Sequence, residues 1–269
     1  MRALLLAVLV GCAGADAMTA QGPGQDAIAA VEAQTSLGVN PGETMAFEVH
    51  LAGMLAGEAQ LAVGEIGTVD GKEVILVKSR AATAGAAALV KKIVDEATTV
   101  IDVATGKPIS LDAHLVNGEK RLTATATFEG SKANVTYQRA NDPAPKKLVL
   151  NFGNVTVYDA HTAMAQLRGW KAHKGAQRTV YIIGGRRLWR VDVTHAGEET
   201  IGSALGNRRA IVFQGKSYRA KPNMQLETSK AARTFTVWLS DDADRVPLKV
   251  VAATELGDIV MDLTDYARP

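Results

Sequence analysis

Asp241, Asp242 and Asp244 crowd one short stretch between the strand-like run Phe235–Leu239 and Pro247. Carboxylates this close can share a cation, or act as the acid and base of a glycosidase. Asp159, or the Asp241/Asp242 pair, is the candidate for acid–base work on a polysaccharide. A plainer use competes with that reading, because Asp caps turns and keeps hairpin ends solvated. The cluster also lacks the alternating Asp/Asn and distant Glu of a calcium loop. No Gly-x-Ser-x-Gly elbow is present, and none of the five histidines, His50, His114, His161, His173 and His195, has a metal-ligand spacing to another. No catalytic set, metal or cofactor is therefore assigned.

A second chemistry lies in residues 168–221, which hold twelve Lys or Arg against Asp192, Glu198 and Glu199. Along Arg186–Val193, strand alternation places Arg187, Trp189, Val191 and Val193 on one face and Arg186, Leu188, Arg190 and Asp192 on the other. One face thus mixes arginine with tryptophan. Arginine forms bidentate bonds to phosphate and carboxylate, so Arg187, Trp189, Arg190, Arg208 and Arg209 are candidates for meeting a lipid head group or an acidic glycan. The competing reading is a solvated face balanced by acidic neighbours from residues 239–265.

The third chemistry is at Cys12, the single cysteine of 269 residues. Arg2 supplies a positive charge, Ala3–Val10 an unbroken apolar run, and Leu9-Val10-Gly11-Cys12 has the pattern of a lipobox, in which the thiol takes a diacylglyceryl group. This is the order of an export signal. The run is shorter than the roughly 20 residues that span a bilayer as helix. A lone thiol can form no internal disulfide, which agrees with lipidation at Cys12. Ala13-Gly14, with no Asp beside the cysteine, points to the outer membrane rather than the inner one. Nucleic acid is excluded as a partner at this address.

The elements that must position these residues are mostly strands. Lys and Arg total 30 against 28 Asp and Glu, so global charge selects no partner. Residues 1–12 are the signal and lipobox, and 13–40, rich in Ala, Gly, Gln and Asp, read as a flexible tether with a short helix near Asp26–Gln34. From Glu43 onward short alternating runs are closed by glycine turns, the grammar of antiparallel sheet. Asp70-Gly71 and Asn117-Gly118 predict type I′ hairpins. Ala84–Glu96 and Asp159–Arg168 break the pattern with good helix formers, and the second has Asp at its start and Gly169 at its end.

Residues 41–269 are thus expected to form one mainly β domain, a curved antiparallel sheet of β-roll or half-open-barrel type with two short helices. An internal echo links Val100-Ile101-Asp102, Pro108-Ile109 and Gly118 to Leu239-Ser240-Asp241, Pro247-Leu248 and Gly257 at an offset of 139. If it reflects duplication, the halves are about 43–140 and 175–266.

The run Pro41-Gly42-Glu43-Thr44-Met45-Ala46-Phe47-Glu48-Val49, then Gly53 and Ala56-Gly57-Glu58-Ala59, resembles the opening of a bacterial exported family, domain of unknown function 3108. Asp159–Arg168 resembles its central helical segment, and Trp238-Leu239-Ser240-Asp241-Asp242 through Arg245-Val246-Pro247-Leu248 resembles a later one. The resemblance covers residues 41–266 and implies an extracytoplasmic protein of curved antiparallel β structure, with no activity or catalytic residue to carry over.

The expectation is an envelope lipoprotein, held to the membrane by its anchor, whose curved sheet binds a lipid, glycan or protein partner. The alternatives are a polysaccharide-active enzyme using Asp carboxylates and a structural component of an envelope assembly.

Overall fold

A computed structural model describes residues 37–269. Cys12, the export signal, the helix expected near 26–34 and most of the tether lie outside the described residues.

Sixteen strands form one curved sheet. The first meander comprises β1 (Thr44–Leu51), β2 (Met54–Val63), β3 (Gly67–Val69), β4 (Lys72–Thr83), β5 (Ile93–Asp102), β6 (Pro108–Asn117), β7 (Lys120–Glu129), β8 (Lys132–Arg139) and β9 (Lys146–Asn151). The second runs through β10 (Val157–Tyr158), β11 (Gln177–Gly184), β12 (Arg187–Ser203), β13 (Gly206–Ala220), β14 (Arg233–Ser240), β15 (Pro247–Thr254) and β16 (Gly257–Ala267). The meanders join where β1 pairs antiparallel with β16. The sheet path ends at β10 on one side and β9 on the other, and these edges are not paired with each other. The sheet is therefore curled but open.

Alternation explains the curl. Strand β5 buries Ile93, Asp95, Ala97, Thr99 and Ile101 while its intervening residues are exposed or half-buried, and β14 buries Phe235, Val237 and Leu239 in the same way. A one-faced apolar sheet must fold its face onto itself or onto a helix. Both happen here. The main core gathers Phe47, Val49, Trp189, Phe213, Val237 and Leu248 around a central helix. The β11–β12 end is covered on both faces, because Ile182 and Trp189 join that core while Ile183 and Leu188 pack with Leu111, Val135 and Leu150 of the first meander.

Among the described residues the helices are α1 (Gly85–Val90) and α2 (Ala160–Gly169). The first is shorter than Ala84–Glu96 predicts. Ile93 and Val94 pair with Asn117 and Val116 instead, since β-branched side chains fit the pleated sheet and override the helix-forming Lys and Glu around them. The second matches expectation: Asp159 accepts from the Thr162 and His161 backbone N–H groups, the Thr162 hydroxyl accepts from the Asp159 N–H, and nine of the ten residues are buried. This is a capping box, and the helix is the plug of the curl.

Two turns refine the hairpin reading. Asp70 and Gly71 both have positive φ, +50° and +76°, as a type I′ turn requires. At the other hairpin Asn117 pairs with Lys120, so Gly118 and Glu119 are the central residues and positive φ falls on Gly118 at +60°. That is the glycine-first arrangement of a type II′ turn.

The two corners of the internal echo share one irregularity. Register shifts between Val100 and Ile101, just before Ile101 meets Pro108, and between Trp238 and Leu239, just before Leu239 meets Pro247. Residues 37–40 lie against the domain: Leu37 and Val39 pack with Val63, Ile75 and Ile101. A Cβ on Gly38 would stand 1.8 Å from the Ala165 carbonyl oxygen, and its φ is +73°, so only glycine lets this segment lie on α2.

Candidate functional site

The rim of the curl formed by the β11–β12, β13–β14 and β15–β16 turns carries a groove of about 250 Å³. Its lining includes Arg187, Trp189, Arg219, Lys230, Arg233 and Glu255. Register explains the grouping: Trp189 faces Arg219 across β12 and β13, and Arg233 stands one strand further, opposite Ser217. All four Arg and Lys side chains are half-buried. Arg219 is tied to Glu227 at 2.6 Å. Trp189 is only 6% exposed, and its buried indole N–H meets no acceptor among the described residues. By contrast, the Trp238 indole N–H donates to Glu199. A buried donor left unmet costs about 1–3 kcal/mol.

The sequence-predicted binding residues divide. Arg187 and Trp189 come together here. Arg190 points away with the other alternate residues of β12 and pairs with Asp192 at 2.9 Å. Arg208 and Arg209 sit at the far end of the same long hairpin, opposite Ile201 and Thr200. There Arg208 donates to the Leu205 carbonyl at 3.0 Å and Arg209 pairs with Asp241 at 2.9 Å. Arg219, Lys230 and Arg233 were missed by sequence reasoning. Only the cross-strand register, which sequence alternation does not supply, brings them beside Trp189.

Asp159 stands apart from the Asp241–Asp242 pair. Asp159 is 1% exposed and caps the start of α2, while Asp241 and Asp242 lie in the β14–β15 turn, near the other end of that helix. Ten residues of helix separate those ends by about 15 Å. The Asp242 carboxylate accepts from the Ser240 hydroxyl at 2.7 Å and from the Asp244 and Arg245 backbone N–H groups at 3.1 and 3.0 Å. It shapes its own turn.

Two buried polar networks hold the plug. At its start the Thr99 hydroxyl bonds the Asp159 carboxyl and lies 2.7 Å from His161 Nδ1, while His161 Nε2 lies 2.8 Å from the Ser79 hydroxyl. Burial holds the His161 pKa below its ordinary value, outweighing the opposite pull of Asp159. At its end Arg168 makes a bidentate pair with Glu43, Nη1 to Oε1 at 2.5 Å and Nη2 to Oε2 at 2.9 Å. Arg168 also donates to the Asp244 and Arg245 carbonyls at 2.7 and 3.1 Å. Asn40 donates to both Glu43 oxygens, and Arg245 donates to the Trp170 carbonyl at 2.5 Å. Tyr266, beside Glu43 and Asp244, has its pKa pushed up to about 12, chiefly by burial and then by those carboxylates. Among the described residues no group of His, Cys, Asp and Glu could hold a metal ion.

Glu43, Arg168 and Asp244–Arg245 belong to the three separate segments on which the family resemblance rests, and the fold joins all three in one buried cluster. In comparisons with solved structures, the chain is similar to a β-barrel-like protein of domain of unknown function DUF1849 from Brucella abortus. The TM-score is 0.55 at 10% identity, covering 85% of this chain and 98% of that one. A hypothetical lipoprotein, YmcC, from Escherichia coli aligns with TM-score 0.32 and 12% identity over 88% of this chain and 91% of its own. The first likeness speaks for the fold, a β-barrel-like sheet. No curated protein matches the chain in sequence. The family model described as protein of unknown function DUF3108 matches residues 46–264, and the chain belongs to that family.

Proposed function

We propose that this protein is an exported envelope lipoprotein, anchored through Cys12, that binds an anionic envelope ligand in the groove of Arg187, Trp189, Arg219, Lys230 and Arg233. The observation that carries the reading is the unmet indole donor of Trp189, a residue that lines a basic groove. Arginine forks recognise phosphate and carboxylate by paired N–H bonds, and the indole supplies an apolar wall with one further donor. The shared chemistry is a phosphate or carboxylate group on an amphipathic lipid or on a glycan. The protein acts by binding. The candidate carboxylates Asp159, Asp242 and Asp241 are occupied in capping, turn-making and ion pairing respectively, and Asp159 is 1% exposed.

Native mass spectrometry of the full chain against phosphatidylglycerol, lipid A and an acidic oligosaccharide tests this reading and separates the two sources. Retention of the lipids alone assigns a lipid, and retention of the oligosaccharide alone assigns a glycan. Arg233→Ala, which removes a half-buried guanidinium, is expected to reduce retention about tenfold, the equivalent of one charge-assisted hydrogen bond. Binding of none of the three probes, or equal binding by the variant, overturns the assignment.

A further inference from the structure

We infer that the same rim docks on an anionic bilayer surface, with the tip of α1 and its neighbouring turns entering the head-group layer. The inference is independent of which ligand the groove takes. Leu89 and Val90, at the end of α1, are 90% and 88% exposed, and Met54 and Leu256 are 72% and 59% exposed. These are the most exposed large apolar side chains among the described residues.

They form one row. The Ala84 backbone N–H donates to the Ala56 carbonyl, which sets α1 beside the start of β2. The Ala52 N–H donates to the Asp258 carbonyl at 3.0 Å, and a Cβ on Gly257 would stand 3.1 Å from the Ala52 Cβ. The β15–β16 turn, the β1–β2 turn and α1 therefore stand side by side. On the far flank the Gly118 N–H donates to the Lys92 carbonyl at 2.8 Å, adding the β6–β7 turn.

Water-exposed apolar residues in a row mark an interaction surface. Charge decides what it meets. Lys91 and Lys92 follow Val90 directly, Lys120 and Arg121 open β7 at the same rim, and the groove adds its own four cations. Glu119, Glu227, Glu255 and Asp258 are the acidic residues in these turns, with Glu227 paired to Arg219, so the basic side still dominates. Apolar side chains flanked by cations are the composition of a surface that lies in a head-group layer, and each Lys or Arg near an anionic leaflet adds to the attraction.

Chain length permits the orientation. Residue 37 packs at the opposite rim, beside Val63 and Ile101. The 25 residues from Cys12 to Leu37 can extend to roughly 80–90 Å, whereas β12, the longest strand at 17 residues, measures about 56 Å. An anchor at Cys12 thus reaches past the whole domain to a membrane met by the far rim.

The test uses the full chain with Cys12→Ser, so that one introduced cysteine can carry an environment-sensitive fluorophore. The label is placed at Leu89→Cys on the rim or at Lys107→Cys, an exposed residue on the opposite rim. With vesicles containing phosphatidylglycerol the Leu89 label is expected to shift to the blue and gain several-fold in intensity. The Lys107 label should stay unchanged, and pure phosphatidylcholine should leave both unchanged. No shift at position 89, or equal shifts at 89 and 107, overturns the inference. A shift at 89 that grows with protein concentration without vesicles also overturns it, because a second copy of the chain would then cover the row.

Discussion

The two rims of the curl treat charge in opposite ways. At one, Arg168 and Glu43 are buried against each other, both Glu43 oxygens have further partners in Asn40 and Tyr266, and Arg168 Nε and Nη2 have theirs in the Arg245 and Asp244 carbonyls. At the other, Arg187, Arg219, Lys230 and Arg233 surround a buried indole donor without an acceptor. A saturated polar cluster fixes one conformation and offers nothing to a ligand. An indole donor without an acceptor contributes no hydrogen bond to folding and keeps it for something else. The contrast predicts that substitutions at the first rim act on stability and those at the second act on binding.

The largest break is expected from Arg168→Met. It leaves the Glu43 carboxylate buried with its main counter-charge gone, and removing one member of a buried pair costs about 3–5 kcal/mol. At roughly 2–4 °C per kcal/mol for a domain of this size, thermal unfolding should fall by about 10 °C. Adding Glu43→Leu should recover at least half of that loss, since the stranded charge is gone. Calorimetry on the two variants checks both statements. Additive losses would show that the pair is not the unit holding the end of α2.

Acid tests the opposite end of the same helix. His161 takes its proton at a lower pH folded than unfolded, because burial disfavours the charged ring beside Ser79, Thr99 and Asp159. Unfolded, it titrates near 6.5. The unfolded chain therefore binds more protons below about pH 6.5, and stability declines as pH falls through that value toward the folded pKa. The slope reaches about 1.4 kcal/mol per pH unit at most. Urea midpoints measured from pH 7.5 to 5 should show the decline in the parent and a flatter line in His161→Gln. Parallel lines would remove His161 as the source.

Much of this architecture is legible in the sequence, and the failures have a common cause. Alternation finds the strands because burial on one face of a sheet is local information, and Asp159 marks the start of α2 because its capping box is local too. What lies beyond reach is pairing across long separations. Glu43 and Arg168 are 125 positions apart, and nothing near either announces the other. Arg219 and Arg233 join Trp189 only through the register of β12, β13 and β14. The same limit separates Arg208 and Arg209 from the groove: they belong to one basic stretch in sequence, but β13 carries them along its length to a different rim. Local propensity misleads where a neighbouring strand competes, as at Ile93–Glu96.

The smallest effect is also the sharpest test of the contrast, because it changes one donor and little else. Trp189→Phe keeps an aromatic ring in the main core and deletes the indole N–H that has no acceptor. The smaller ring loses packing, which costs, while the unmet donor disappears, which gains about 1–3 kcal/mol. The two terms oppose each other, so stability should move by no more than about 1 kcal/mol in either direction. Retention of the anionic probes should nevertheless fall, by roughly tenfold for one lost hydrogen bond. Urea unfolding and native mass spectrometry on the same preparation read the two quantities separately. A stability loss well beyond that range with unchanged retention would make Trp189 a packing residue of the core, and the basic groove would then have no indole donor to distinguish it from an ordinary charged surface.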